Sequence, residues 1–120
     1  MSVLHPKTID DFNKIVSLAF HDEKQIVIDF MAKWCGPCKA LAPMFVRLAE
    51  TYKNQAVFIK VDVDELESLA ATFKVTAMPT IVIASPTLSQ DKKSISLKVT
   101  HTHVGGSGVH VFLEGNLSKP

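Results

Sequence analysis

The amino-acid sequence predicts an α/β fold in which strands and helices alternate along a chain of 120 residues. Three short apolar runs rich in β-branched residues have the length of buried strands: residues 25–31, 56–61 and 80–84. The segments between them repeat their apolar residues at helical spacing. Because 47% of the residues are hydrophobic, the chain can bury one apolar core, and we expect a single domain over residues 1–120.

The first helix is predicted from about Ile9 to Phe20. Thr8 followed by Asp11 resembles a capping box in which Asp replaces the usual Glu. The next run, residues 25–31, is continuous and bounded by charged residues, which is typical of a strand covered on both faces by helices. We therefore place this strand in the middle of the sheet.

A second helix is predicted from Cys35 to about Tyr52. Pro43 lies about two turns inside it and is expected to kink it, because proline lacks the N–H that an interior helical residue donates. A short helix over residues 65–73 then separates the second and third strands.

The last third of the chain predicts an extended hairpin. Residues 86–94 are rich in turn-forming side chains and are expected to form a long loop between two antiparallel strands. The second of these strands, about residues 94–104, alternates apolar and polar residues, which suits a sheet edge with one solvated face. Residues 107–117 fit a strand or a helix equally well, so the sequence leaves that segment open.

Charge and hydropathy exclude several functional classes. The net charge is +1 without a run of like charges, so we expect no nucleic-acid partner. No apolar run approaches the roughly 20 residues that a membrane-spanning helix needs, so we expect no membrane partner either. The first residues lack the features of a signal or transit peptide, and a cytoplasmic location is the expectation.

Both cysteines of the chain lie in the sequence Trp-Cys-Gly-Pro-Cys-Lys, residues 34–39. Cysteines at i and i+3 share one helical face and can form a reversible disulfide. Free backbone N–H groups and the helix dipole at a helix start favour the thiolate of Cys35, which makes it the expected nucleophile. Cys38 lies one turn deeper and is the expected resolving thiol.

The residues around the cysteines have their own expected roles. Gly36 permits close approach of a partner's backbone, and Pro37 stiffens the first helical turn, so this pair is expected to tune the redox potential. Trp34 either packs on the rim of the domain or belongs to the surface that meets a partner, and both roles are compatible.

A Cys-x-x-Cys pair is also half of a common structural zinc site. His101 and His103, two residues apart on a predicted strand, could supply the other two ligands. Such sites usually stabilise domains that lack a sufficient core, whereas this chain has one. We therefore expect no metal, and we interpret the two histidines as surface residues.

Asp29 interrupts the apolar strand that precedes the cysteines. A carboxyl group buried there would have a raised pKa and could exchange a proton with Cys38, although a strand residue that reaches water would fit the same spacing. Lys60 ends the neighbouring strand and could tune Asp29, or it could simply be solvated.

The sequence resembles the thioredoxin family over about residues 8–84. The resemblance rests on three blocks, in this order: Val27-Ile28-Asp29-Phe30-x-Ala32-x-Trp34-Cys35-Gly36-Pro37-Cys38-Lys39 with Pro43, then Lys60-Val61-Asp62-Val63-Asp64, and then Met78-Pro79-Thr80. It implies a thioredoxin fold, with a central mixed sheet of four or five strands flanked by helices. It also implies dithiol reduction of disulfides in protein substrates, without a bound cofactor, by a monomer that a thioredoxin reductase recycles.

The resemblance further implies roles for individual residues. Cys35 attacks the substrate, Cys38 resolves the mixed disulfide, and a Cys35–Cys38 bridge results. Asp29 is the buried acid/base. Pro79 is a cis proline facing the cysteines, and the Met78 backbone binds an extended substrate segment. Val104-Gly105 resembles the step that completes the docking surface.

The chain departs from the family after Pro79. The hairpin is longer than usual. The last segment lacks the Ala-, Leu- and Lys-rich composition of the family's closing helix, so we expect this segment to pack more weakly on the domain.

Two rival functions keep the same fold. One is a binding module or subunit that recognises a specific partner through residues 86–94, and the other is an oxidase or isomerase of a secretory compartment.

Overall fold

The computed structural model describes residues 2–118. Its strands are β1 (Val3–Leu4), β2 (Gln25–Met31), β3 (Ala56–Asp62), β4 (Thr80–Leu88) and β5 (Ile95–Val104). Its helices are α1 (Ile9–His21), α2 (Gly36–Thr51), α3 (Glu67–Thr72) and α4 (Val109–Asn116). The predicted domain of residues 1–120 also includes residue 1 and residues 119–120, which lie outside the described residues.

The strands form one mixed sheet in the order β1-β3-β2-β4-β5. β1, β3 and β2 run parallel, whereas β4 is antiparallel to both β2 and β5. The predicted central position of β2 is confirmed, and so is the predicted edge position of β5. β1 was not predicted, because this strand has only two residues, Val3 and Leu4, too few to show a periodic pattern. They pair with Phe58 and Ile59 of β3.

Helices cover both faces of the sheet, and each face has its own apolar cluster. α1, α3 and the turn before α3 cover one face. Their buried residues Phe12, Val16, Ala19, Leu66, Leu69 and Ala70 pack on the sheet residues Ile26, Ile28, Phe30, Ile59, Val61, Val82 and Ala84. α2 and α4 cover the other face through Leu41, Phe45, Leu48, Ala49, Val109 and Leu113, which pack on Val27, Phe58, Ile81 and Ile83. Burial on both faces explains why β2 reads as a continuous apolar run.

The helix boundaries follow local hydrogen bonds. The Thr8 hydroxyl accepts a hydrogen bond from the Asp11 backbone N–H at 3.1 Å, so the predicted N-cap of α1 is confirmed. α3 is shorter than predicted, because Glu65 and Leu66 donate their N–H groups to the Asp62 carbonyl in a turn that precedes the helix. α2 continues through Pro43 to its end. The segment left open by the sequence is helical, as α4.

The expectation of a long loop over residues 86–94 is wrong in part. Pro86, Thr87 and Leu88 pair with Leu97, Ser96 and Ile95, so these residues extend the hairpin as strands. Only residues 89–94 connect the strands. Ser89 holds this turn together, because its backbone N–H donates to the Ser94 carbonyl and its hydroxyl contacts the Asp91 carboxylate.

A β-bulge divides β5 at Thr100. Ile83 of β4 pairs with His101 and Ala84 pairs with Val99, so Thr100 is an extra residue whose hydroxyl donates to the Ile83 carbonyl at 3.1 Å. The bulge turns His101 and His103 toward the face of the sheet that α2 and α4 cover, because their partners Ile83 and Ile81 belong to that face. The simple alternation expected for this strand therefore ends at residue 99.

We expect Leu113→Ala to lower the free energy of unfolding by about 2–5 kcal/mol, because Leu113 is fully buried under α4 and truncation leaves a cavity. Val111→Ala on the same helix is the matched control. Val111 is 74% exposed, so its truncation is expected to change the free energy by about 0.5 kcal/mol or less. Chemical denaturation measures both values, and a small, equal effect of the two variants would show that α4 is not docked.

Candidate active site

The two cysteines lie where the chain leaves the central strand and enters α2. Cys35 is the N-cap of α2, and its backbone N–H donates to the Ala32 carbonyl at 3.1 Å, which closes the turn between β2 and the helix. Gly36 and Pro37 form the start of the helix, where the missing N–H of proline leaves no partner unsatisfied. Cys35 and Cys38 form a disulfide with their Cα atoms 5.3 Å apart.

The two sulfur atoms differ in their surroundings more than in their exposure. Cys35 is 5% exposed and Cys38 is 3% exposed, so accessibility alone does not distinguish them. The Cys38 backbone N–H donates to Cys35 Sγ at 3.2 Å, and the Met78 carbonyl oxygen lies 3.6 Å from the same sulfur. A hydrogen bond from a helix-start N–H stabilises a thiolate, so the structure provides this stabilisation at Cys35.

The cysteines pack against a small cluster of apolar side chains. Both pack with Ala32, and the partly buried side chains of Met31, Val63 and Met78 surround them. Val63 continues the pairing beyond β3, since its N–H donates to the Met31 carbonyl at 2.9 Å. Met31 and Val63 were not predicted as site residues. The signal that could have found them is their position: Met31 is the last residue of β2, and Val63 directly follows the neighbouring strand β3.

The indole ring of Trp34 is fixed by one hydrogen bond but remains largely exposed to solvent. The indole Nε1–H donates to Asp64 Oδ2 at 3.0 Å, while the side chain remains 67% exposed. A second hydrogen bond fixes the position of Asp64: its backbone N–H donates to Oδ1 of the buried Asp62 at 2.9 Å. Both roles expected for Trp34 are therefore compatible with its position. Asp64 had no predicted role of its own, although it ends the second block of the resemblance, just after an apolar strand.

Pro79 and Gly105 are joined by a hydrogen bond. The Met78–Pro79 peptide bond is cis, and Pro79 is buried. The Gly105 N–H donates to the Pro79 carbonyl at 2.8 Å. Gly105 has a φ of 102°, a conformation that residues with a Cβ rarely adopt, so this position requires glycine. The strand ends that carry the cysteines, Pro79 and Gly105 thus meet at one edge of the sheet.

Asp29 is buried inside the sheet, and the alternative in which it reaches water is wrong. It is 3% exposed, and its Oδ1 atom has no hydrogen-bond partner within residues 2–118. Burial raises the pKa of Asp29 to about 7, although the positive charge of Lys60 acts in the opposite direction. Lys60 is the directly paired residue on β3. Both side chains point toward the face that α2 covers, because Val27 and Phe58, two residues earlier on each strand, lie in that cluster.

The structure brings most of the predicted residues together but leaves the two histidines apart from them. In the part of the chain that is described, no group of three or more His, Cys, Asp or Glu residues is arranged to hold a metal ion. His101 is exposed, whereas His103 is partly covered and stacks on Phe112 of α4. The interpretation as a surface residue is confirmed for His101, while His103 is a half-buried surface residue whose ring packs on α4. Over the same residues, no helix is both long and apolar enough to cross a membrane.

Comparison with known proteins gives the family. The model of the thioredoxin family matches residues 3–101. The chain belongs to the thioredoxin family. It is 49% identical to thioredoxin H5 of Arabidopsis thaliana over 75 residues, which are 62% of this chain and 63% of that protein. It is 39% identical to thioredoxin-1 of Drosophila melanogaster over 97 residues, 81% of this chain and 85% of that protein.

The thioredoxin fold extends over nearly the whole chain. A crystal structure of a poplar thioredoxin h superposes with a TM-score of 0.77 and 28% identity, covering 95% of this chain and 93% of that one. The match to Arabidopsis thioredoxin H5, in contrast, spans less than two thirds of that relative. The family model also stops at residue 101, before Gly105 and α4. The fold is therefore shared with a thioredoxin over nearly the whole chain, whereas the match to the family model does not include Gly105 and α4.

The buried carboxyl group of Asp29 predicts how stability depends on pH. Its pKa of about 7 in the folded protein lies above the ordinary value of 3.8, so between these values the folded state holds a proton that the unfolded state has lost. The stabilisation that this proton contributes to the folded state is present in full below about pH 4 and is lost as the pH rises to 7. The free energy of unfolding is expected to fall by up to about 4 kcal/mol over this range.

The measurement compares the unfolding free energies of the wild type and Asp29→Asn from pH 4 to pH 8, since their difference cancels the titration of all other groups. We expect the asparagine variant to become progressively more stable relative to the wild type as the pH rises, with a plateau above about pH 7. A difference that stays constant over this range would mean that Asp29 titrates near its ordinary value.

Proposed function

We propose that this chain is a thiol–disulfide oxidoreductase that reduces protein disulfides by dithiol–disulfide exchange. The observation that carries the proposal is the Cys35–Cys38 pair at the start of α2, bonded to each other and with one sulfur accepting a helix-start N–H. Membership of the thioredoxin family supports it. The rival roles, a partner-binding module and a secretory oxidase, have no comparable observation in their favour.

The proposed reaction begins with the dithiol form. The Cys35 thiolate attacks one sulfur of the substrate disulfide, a Cys35–substrate bond forms, and the other substrate sulfur leaves as a thiolate that takes up a proton. The Cys38 thiolate then attacks Cys35 Sγ and displaces the second substrate thiolate. Two electrons and two protons pass to the substrate, and the protein retains the Cys35–Cys38 disulfide.

Asp29 is the proposed acid/base for the resolving step. Cys38 must lose its proton to attack, and a carboxyl group with a pKa of about 7 can accept that proton near neutral pH. Lys60 acts on Asp29 through its charge, because it is the adjacent residue on β3 and lowers the carboxyl pKa that burial raises. Gly36 and Pro37 are proposed to set the redox potential through the geometry of the first helical turn.

Trp34, Met78, Pro79 and Gly105 are the proposed substrate-docking surface. An extended substrate segment would pair with the backbone of Met78 and lie along the edge where these residues meet, as in strand addition. The exposed side chains of Trp34 and Val104 would add apolar contact area to this surface. These features supply position and contact area without requiring a particular substrate sequence.

The remaining assignments complete the proposal. Recycling of the disulfide form requires an external reductant, for which we propose a thioredoxin reductase. We further propose that residues 1–120 form one domain, that the protein acts as a monomer without a cofactor, and that it works in the cytoplasm. Reduction of substrate disulfides requires a compartment in which the Cys35–Cys38 pair can be returned to the dithiol form. Both cysteines of the sequence lie in this motif, so the chain has no structural disulfide that would need an oxidising compartment.

We expect Cys35→Ser and Cys38→Ser both to lose catalytic turnover in an insulin-reduction assay. Only Cys38→Ser should accumulate a mixed disulfide with its substrate, because Cys35 can still attack while no second thiol releases the product. Non-reducing gel electrophoresis measures this trapping, and Cys35→Ser is its matched control.

Two outcomes would contradict the proposal. Full biological activity of Cys35→Ser would favour a binding module, since such a role needs no nucleophile. A reduction potential well above that of the cytosolic glutathione pool would instead favour an oxidase or isomerase.

A further inference from the structure

The loop that follows β5 lies beside the redox site. It consists of Gly105-Gly106-Ser107-Gly108. Its first residue donates a hydrogen bond to the Pro79 carbonyl, and a Cβ on Gly106 would lie 3.5 Å from the carbonyl oxygen of Pro37, between the two cysteines. The loop and α2 together line a groove of about 380 Å³, whose walls are Pro37, Ala40, Leu41, Met44, Gly106 and Ser107.

A loop of this composition does not keep one conformation by itself. Glycine loses more conformational freedom on ordering than any other residue, and here three of four residues are glycine. Gly105 and Gly108 both have positive φ values, 102° and 77°. An ordered position against Pro37 and Pro79 therefore requires contacts from outside the loop.

His103 supplies such a contact. Its Nε2 atom lies 2.6 Å from the Ser107 carbonyl oxygen, and its ring stacks on Phe112 with centroids 5.1 Å apart and an interplanar angle of 30°. A carbonyl can only accept, so Nε2 carries a hydrogen and donates it. The neutral Nε2–H form and the protonated ring both retain this donor. Stacking on Phe112 fixes the imidazole to α4, so the loop is tied to the body of the domain.

From this geometry we propose that His103 is a positioning residue for substrate binding: it orders the Gly105–Gly108 loop and so preforms one wall of the groove beside the cysteines. This inference rests on the proposed reductase function. A protein substrate that meets an ordered loop does not lose binding energy in ordering it. His103 touches neither sulfur, so its effect should appear in substrate binding more than in the chemical step.

Three variants test the proposal. His103→Phe keeps an aromatic ring against Phe112 but removes the donor, whereas His103→Gln keeps an N–H donor without the ring. His101→Phe is the matched control, because His101 is exposed and lies on the same strand and the same face of the sheet. Thermal unfolding of each variant checks that the fold is retained.

The expected results separate binding from chemistry. His103→Phe should raise the KM for insulin about fivefold, the equivalent of about 1 kcal/mol, with kcat changed less than twofold. His103→Gln should recover part of this loss, and His101→Phe should match the wild type. Hydrogen exchange at the Gly105 amide, which the Pro79 carbonyl protects, should accelerate about fivefold in His103→Phe and stay at the wild-type rate in His101→Phe.

The two readouts keep the inference distinct from the proposed function. Wild-type protein that fails to reduce insulin would overturn the reductase function. If His103→Phe and His101→Phe gave equal Gly105 exchange rates, the loop-ordering role of His103 would be overturned whether or not the protein is a reductase. A lower kcat at unchanged KM would overturn its role in substrate binding.

Discussion

The hydrogen bond from the Cys38 N–H to the Cys35 sulfur depends on where α2 begins. The helix starts at the carboxyl end of β2, which is paired on both sides, to β3 and to β4, and covered on both faces by helices. The base of the turn that carries Cys35 therefore cannot shift without disturbing the centre of the sheet. A rigid support of this kind lets the protein hold the Cys35 sulfur close to a free backbone donor at the start of the helix.

The topology explains why the other site residues gather around that sulfur. β2 and β3 are parallel, β4 is antiparallel to β2, and β5 is antiparallel to β4. The carboxyl ends of β2, β3 and β5 and the amino end of β4 consequently lie at one edge of the sheet. Trp34, Asp64, Pro79 and Gly105 each follow or precede one of these ends, so residues far apart in sequence form one surface.

Local patterns in the sequence were sufficient for much of the fold. The continuous apolar run of β2 predicted a strand buried on both faces, and the spacing of the cysteines predicted a pair on one helical face. Asp29 was recognised as unusual because a charged residue inside such a run must either reach water or be buried. What the sequence could not supply were contacts between distant segments. The hydrogen bond between Trp34 and Asp64 and the stacking of His103 on Phe112 depend on pairing that no local pattern encodes.

The extra residue at Thr100 has a consequence for how this hairpin can vary. Strand pairing transmits any change of register along the whole ladder, and a shift of one residue exchanges the two faces. The bulge interrupts that transmission between residues 99 and 101, and the Thr100 hydroxyl closes the gap by bonding the Ile83 carbonyl. A change of register in the outer part of the hairpin, from Ala84 to Val99, therefore need not change the pairing of the part that leads to Gly105. Its length and tip can diverge among related chains while the register next to the cysteines stays the same.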